Sequence, residues 1–285
     1  MKLLSIVWCL CTSCFLLAQP TDKKLLQKIE PLLQQHAGVA GVYIQNLTTG
    51  KVVAINADTL FPTASMVKLP ILLGVLRKMQ QGQLTYHQNL RYTKSLFYSG
   101  DDITGSLQDS SSIELSKLIL LMLSVSDNTA SLWLQKLADA DAINQWLTQQ
   151  GFVQTKINSR VAGREAARAT YGWGQTTPKE MALLLLQTVD GTLLPDSLTT
   201  LATRVLGRNY WDEQAISALP PNVFVASKNG CVNASRSEVL YVQAPKQPFI
   251  ICICTKQNAD TSWGNNNQAW QLAIEITKRV YNHYN

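Results

Sequence analysis

Residues 59–80 read TLFPTASMVKLPILLGVLRKMQ. Within them, SMVK sets Ser65 and Lys68 at the mouth of an apolar helix. Positions i and i+3 share a helix face, so the two side chains meet. A serine at a helix start feels the positive end of the dipole, which stabilises a developing oxyanion nearby. A lysine beside it can take the serine proton only when neutral. From a free pKa of about 10.4, a base poised near pH 7 needs a fall of roughly 3 units, about 4 kcal/mol of bias. Burial or neighbouring cations can supply that bias. S-x-x-K recurs by chance in many chains, and on these four residues alone a helix cap with a surface lysine is the better reading.

Outward from this stretch the chain divides into three. TDKKLLQKIEPLLQQHAG predicts an amphipathic helix with Thr21 as N-cap and Gly38 as stop. VAGVYIQNLTTGKVVAINAD predicts a hairpin turning at Asn46 to Gly50. From Ser65 to about Leu206 the signals are mostly helical. Ser111 and Glu114 have capping-box spacing, and Thr177, Pro178 and Glu180 open another helix. Gly151 to Thr177 reads as a polar loop rich in Gly and Arg. After Pro221 come three strand patterns, NVFVASK, SEVLYVQA and PFIICICT, then a terminal helix in NQAWQLAIEITKRVYNHY. Short connections favour antiparallel pairing. The expected fold class is α+β: an antiparallel sheet flanked by N- and C-terminal helices (19–63 and 208–285) beside an all-helical lobe (64–207). The cleft between them is the expected site.

Two further stretches could reach that cleft. SDN, Ser126 to Asn128, suits a helix cap, but it also suits a proton-carrying hydroxyl with an amide that binds a substrate amide. KNG, Lys228 to Gly230, contains the Asn-Gly pair of hairpin turns. Read functionally, Lys228 leans into the cleft from a sheet edge, and Gly230 clears space for a ligand against the strand.

Composition narrows the alternatives. The apolar share is 46% and the charged share 15%, enough for a substantial core. Lys2, the apolar run Leu3 to Leu17 and Ala18 read as a secretory signal over 1–18, which implies a secreted or periplasmic protein. The run is short for a membrane span, and no similar run follows it. Cys14 has a poor approach, Cys11 to Ser13, for a lipoprotein cysteine. Beyond the signal remain Cys231, Cys252 and Cys254, an odd number that forms no complete disulfide framework. Cys252 and Cys254 fall on one face of a strand. His36, His87 and His283 are too scattered for a metal site, and no cofactor motif is present. The net charge of +6 is dispersed, which argues against a nucleic-acid partner. Trp133, Trp146, Trp173 and Trp263 fit core or rim packing.

Taken together and in order, S-x-x-K, S-D-N and K-N-G, 61 and 102 residues apart, resemble the signature of class A serine β-lactamases and related penicillin-recognising serine enzymes. The resemblance covers the whole chain after the signal, as one catalytic unit over 19–285. It implies acylation of Ser65, with Lys68 as general base and Ser126 passing the proton to the leaving nitrogen. Asn128 would hold the substrate side-chain amide, Lys228 the substrate carboxylate, and the amides of Ser65 and Cys231 the oxyanion. The implied partner is a small β-lactam or a cell-wall peptide, bound by a monomer without metal or cofactor. Two departures stand out. Asn229 occupies a position that usually carries Thr or Ser, where Arg236 could compensate. E-x-x-L-N, whose glutamate activates the deacylating water, is missing. Glu165 is the only acidic residue between Gly151 and Pro178, hence the candidate for that role, although Arg164 and Arg168 flank it as for an ion pair. The implied reaction is hydrolysis through acyl-Ser65; a D-Ala-D-Ala peptidase or a catalytically impaired binding module are the alternatives.

Overall fold

The computed structural model describes residues 19–98, 100 and 102–285. The signal over 1–18 and Cys14 therefore lie outside the described residues. The first helix, α1 (Lys23–Gln34), starts one residue later than expected: Asp22, rather than Thr21, accepts the Leu25 N–H at 3.0 Å. Strands β1 (Val39–Asn46) and β2 (Val52–Ile55) form the expected hairpin. Asn46 Oδ1 closes its turn by accepting from Thr48 and Thr49 N–H, each at 2.9 Å.

A short β3 (Phe61–Pro62) leads into a 3-10 turn, Ala64–Val67, and then α2 (Lys68–Gln80). Next come β4 (Asn89–Arg91), β5 (Ser112–Glu114), α3 (Leu115–Ser124), α4 (Asn128–Ala138) and α5 (Ala140–Gln149). The capping box expected at Ser111 and Glu114 does not form. Residues 112–114 pair instead with β4, and Glu114 bonds Ser116 and His87. The polar loop after Gly151 holds more structure than its composition suggests: β6 (Lys156–Ile157), α6 (Glu165–Tyr171) and β7 (Gly174–Thr176). Helix α7 (Pro178–Val189) starts as expected, with Thr177 Oγ1 accepting the Glu180 N–H at 3.1 Å. Its Glu180 carboxylate reaches out to Gln154 and Thr155 rather than closing a box. Helix α8 (Asp196–Leu206), β8 (Phe224–Val232), β9 (Ser235–Gln243), β10 (Phe249–Lys256) and α9 (Gln268–Tyr284) complete the chain.

The main sheet runs β2-β1-β10-β9-β8, antiparallel throughout. Strand alternation gives it two apolar faces. Val42, Ile44, Leu240, Ile251 and Ile253 pack with α1 and α9. Tyr43, Val239, Ile250, Cys252 and Cys254 face the helical lobe. At the centre of that lobe, α2 is buried from Lys68 to Leu76. It approaches α5 so closely that a Cβ on Gly74 would stand 2.5 Å from Ile143 Cγ1. Among the described residues, no helix is long and apolar enough to cross a membrane.

Candidate active site

Three elements meet at the edge of the sheet. The turn carrying Ser65 is tied down by Thr63, whose N–H donates to Gly174 O at 2.9 Å, and by the pairing of β3 with β7. It lies directly on β8. A Cβ on Gly230 would stand 2.5 Å from Thr63 O and 2.9 Å from Ser65 N. Gly230 lines the cavity, yet what its missing side chain admits is the backbone of the Ser65 turn, not a ligand as expected. The Asn-Gly pair makes no turn. Strand β8 runs through both residues, and the two-residue loop falls at Asn233 and Ala234, with Asn233 at φ 42°.

Lys68 is fully buried. Its Nζ lies 3.0 Å from Ser65 Oγ, 2.9 Å from Ser126 Oγ and 2.9 Å from Asn128 Oδ1, and it also reaches Ser126 O. Charged or neutral, an amine offers three hydrogen-bonding positions to these four oxygens, so one position is shared. The electrostatics favour the neutral form, whose lone pair can accept from a serine hydroxyl. Burial, then the Lys228 charge, hold Lys68 well below the ordinary lysine range, against weaker opposition from Asp102 and Asp127.

Those two carboxylates are committed to backbone. Asp127 caps α4 through Ala130 N–H at 2.7 Å and takes Thr104 N–H at 2.7 Å. Asp102 accepts from Asn128 N–H at 3.0 Å and Thr129 N–H at 2.8 Å. SDN is thus a helix cap and a site element at once. Ser126 is held at φ 62° and Ala64, beside Ser65, at φ 44°. Non-glycine residues in this region carry strain of about 1–3 kcal/mol, stored most often at functional sites.

Lys228 is fully buried behind the cleft wall, with Nζ 2.9 Å from both Asn229 O and Asn229 Oδ1. Burial holds its pKa down to about 7, opposed by Glu238. Glu238 lies across from Asn229 in the neighbouring strand. It accepts the Ala215 N–H at 3.0 Å, leaves Oε1 without a partner, and is pushed by burial up to about 8. Arg236 makes no compensation for Asn229. It is buried and donates to the carbonyls of Asn233, Ser235, Thr261 and Ser262.

Ser65, Ser126, Asn128, Asn229, Gly230 and Cys231 line one cavity of about 590 Å³. Sequence reasoning missed several of its other walls, among them Asp102, Trp211, Glu213 and Gln214, which no spacing rule marks. Glu165 is absent from that lining. It sits exposed on the first turn of α6, where its carboxylate accepts the Gly163 N–H at 3.1 Å. The expected pairing with Arg164 is replaced: that guanidinium donates to Asn158 Oδ1 at 2.7 Å and Gln175 Oε1 at 2.9 Å.

The sequence profile of the beta-lactamase enzyme family matches residues 24–284. The chain belongs to that family. It is 24% identical over 277 residues to beta-lactamase VEB-1 of Pseudomonas aeruginosa, covering 93% of this chain and 91% of the relative. Among solved structures it resembles a point mutant of PBP-A, an acyl-enzyme complex with penicillin G, at TM-score 0.83 and 22% identity over 94% and 99% of the two chains. It also resembles an ancestral class A beta-lactamase (GNCA) at TM-score 0.79 and 19% identity, over 91% and 100%. The fold is therefore that of class A beta-lactamases and transpeptidases.

Proposed function

We propose that this family member is an exported serine hydrolase that opens the β-lactam amide through an acyl intermediate on Ser65. One observation carries the reading: Lys68 Nζ lies within hydrogen-bond reach of both Ser65 Oγ and Ser126 Oγ. Neutral Lys68 takes the Ser65 proton as Oγ forms its bond to the lactam carbonyl carbon. The amides of Ser65 and Cys231 receive the oxyanion. Each such donor is worth about 3–4 kcal/mol to the transition state. As the tetrahedral species collapses, the carbon–nitrogen bond breaks and Ser126 gives its proton to the nitrogen, recovering one from Lys68. Asn128 spends its Oδ1 on Lys68, which leaves Nδ2 to donate to the substrate's side-chain carbonyl. Lys228, Asn229 and Gly230 form the wall behind.

The placement of Glu165 favours a second reading for the step after acylation. With that carboxylate outside the cavity, release is slow, as in a penicillin-binding peptidase acting on D-Ala-D-Ala ends. One experiment separates the readings. Mature protein is mixed with a chromogenic cephalosporin or penicillin G, and ring opening and adduct mass are followed together. Sustained turnover with a transient adduct, both abolished in Ser65→Ala, is the hydrolase outcome. A stoichiometric burst with a lasting adduct, plus D-alanine release from a model peptide, selects the peptidase. Binding with neither ring opening nor an adduct on Ser65 overturns both. Export would appear as a mature N-terminus near Gln19.

A further inference from the structure

Two indoles stand in solvent on the walls of the Ser65 cavity: Trp263 is 69% exposed and Trp211 40%. Neither is loose. The Trp211 ring donates through Nε1 to Val125 O at 3.1 Å, one residue before Ser126, and its backbone N–H donates to Asn209 Oδ1 at 3.2 Å. Tyr210 packs edge-on against it, centroids 5.2 Å apart. Trp263 lies 5.3 Å from the Arg236 guanidinium, which backbone carbonyls fix in place. One face of its indole is thus committed to a rigid cation. A tryptophan is costly to leave in water, and rigid aromatic walls are how a pocket recognises a flat group at small entropic cost.

The charge of the lining is one-sided. Asp102 and Glu213 face the cavity, and among the described residues no lysine or arginine lines it. Both nearby lysines, Lys68 and Lys228, are fully buried with Nζ engaged internally. Asp102 is engaged by backbone, whereas Glu213 is exposed.

We propose that Trp211 and Trp263 form an aromatic subsite for the substrate's acyl side chain, and that Glu213 makes this subsite select an aryl side chain with an α-ammonium group over one with an α-carboxylate. The proposal rests on acylation of Ser65. Four penicillins with one nucleus and one amide test it: 6-acetamidopenicillanic acid (no ring), penicillin G (neutral benzyl), ampicillin (α-ammonium) and carbenicillin (α-carboxylate). Second-order acylation constants are read by intact-protein mass spectrometry.

The expected order is ampicillin, penicillin G, carbenicillin. Ring contact makes penicillin G about 3- to 10-fold faster than the acetamido compound. The ampicillin-to-carbenicillin ratio is about tenfold at low salt and shrinks toward one near 1 M salt. Trp263→Ala and Trp211→Ala each erode the advantage of the ring, and Glu213→Gln narrows the ammonium-to-carboxylate ratio. Equal constants across the four compounds on the wild-type protein, or a faster carbenicillin, overturn the subsite while leaving acylation intact. Neither adduct nor ring opening with any of the four overturns the acyl-serine reading together with it.

Discussion

Replacing Gly230 with alanine tests whether the glycine is there for the Ser65 turn. The added Cβ would stand 2.5 Å from Thr63 O, 2.9 Å from Ser65 N and 3.0 Å from Ala64 Cβ, whereas ordinary contact begins near 3.4 Å. Two of the three opposing atoms are backbone, so no side chain can swing away. Thr63 is also anchored by its N–H on Gly174 O. Relief therefore requires the turn to lift from β8 by about 1 Å, a misplacement that can cost about 100-fold in a reaction rate. Overpacking of this kind also costs about 1–3 kcal/mol of stability. The assay is the acylation constant with penicillin G, beside urea unfolding. Gly264→Ala serves as the stability control, because a Cβ there meets nothing within 4 Å. Acylation at the wild-type rate with stability unchanged to within about 0.5 kcal/mol would refute the packing argument.

Glu238 is expected to imprint its own pH dependence on stability. Its folded pKa of about 8 lies above the ordinary 4.5, so the folded state binds more protons between these values and stability falls as pH rises through that window. Lys228 acts in the opposite sense from its folded pKa of about 7 up to the ordinary 10.5, so stability recovers on the alkaline side. Lys68, also depressed, adds a rising contribution of its own across this window, so Glu238 is read as a difference: the stability of wild type relative to Glu238→Gln, from urea unfolding, should fall as pH rises from about 5 to 8. A difference that stays constant across that window would contradict the Glu238 assignment. Glu165→Gln should leave acylation and acyl release within about twofold of wild type, as for an exposed substitution outside the cavity; loss of release measured by adduct decay would place Glu165 in the reaction after all.

What was legible in the sequence was local. The hairpin turn at Asn46 to Gly50, the Thr177 cap and the alternation of β10 are each decided by neighbours in the chain. What was illegible depended on partners far away. Glu114 became a strand residue because β4 lies beside it. Asn229 and Gly230 stayed in mid-strand because β9 pairs with every residue from Phe224 to Val232. Arg236 was the residue expected to compensate for Asn229, yet carbonyls of the segment before α9 enclose it. The same split governs the site. Ser65, Lys68 and Ser126 were recognisable from residue type and order. Asp102, Trp211 and Glu213 come from loops whose approach to the cleft is a tertiary result with no periodicity to betray it.

The alternation of β8 also links the two buried lysines. Ala226, Lys228 and Gly230 share one side of the strand: a packing residue, a cation, and the gap that seats the Ser65 turn. Lys228 is charged only below about pH 7, and while charged it lowers the proton affinity of Lys68. Burial is the larger cause, so Lys68 stays below the ordinary lysine range when Lys228 is neutral. Lys228→Met should therefore raise the Lys68 pKa without restoring it to the ordinary value. The acid limb of the acylation profile should move to higher pH, while the plateau above it survives apart from any loss in substrate binding. A limb that moves to lower pH, or stays in place, would mean that Lys228 does not bias the base and that its burial serves the β8 wall alone.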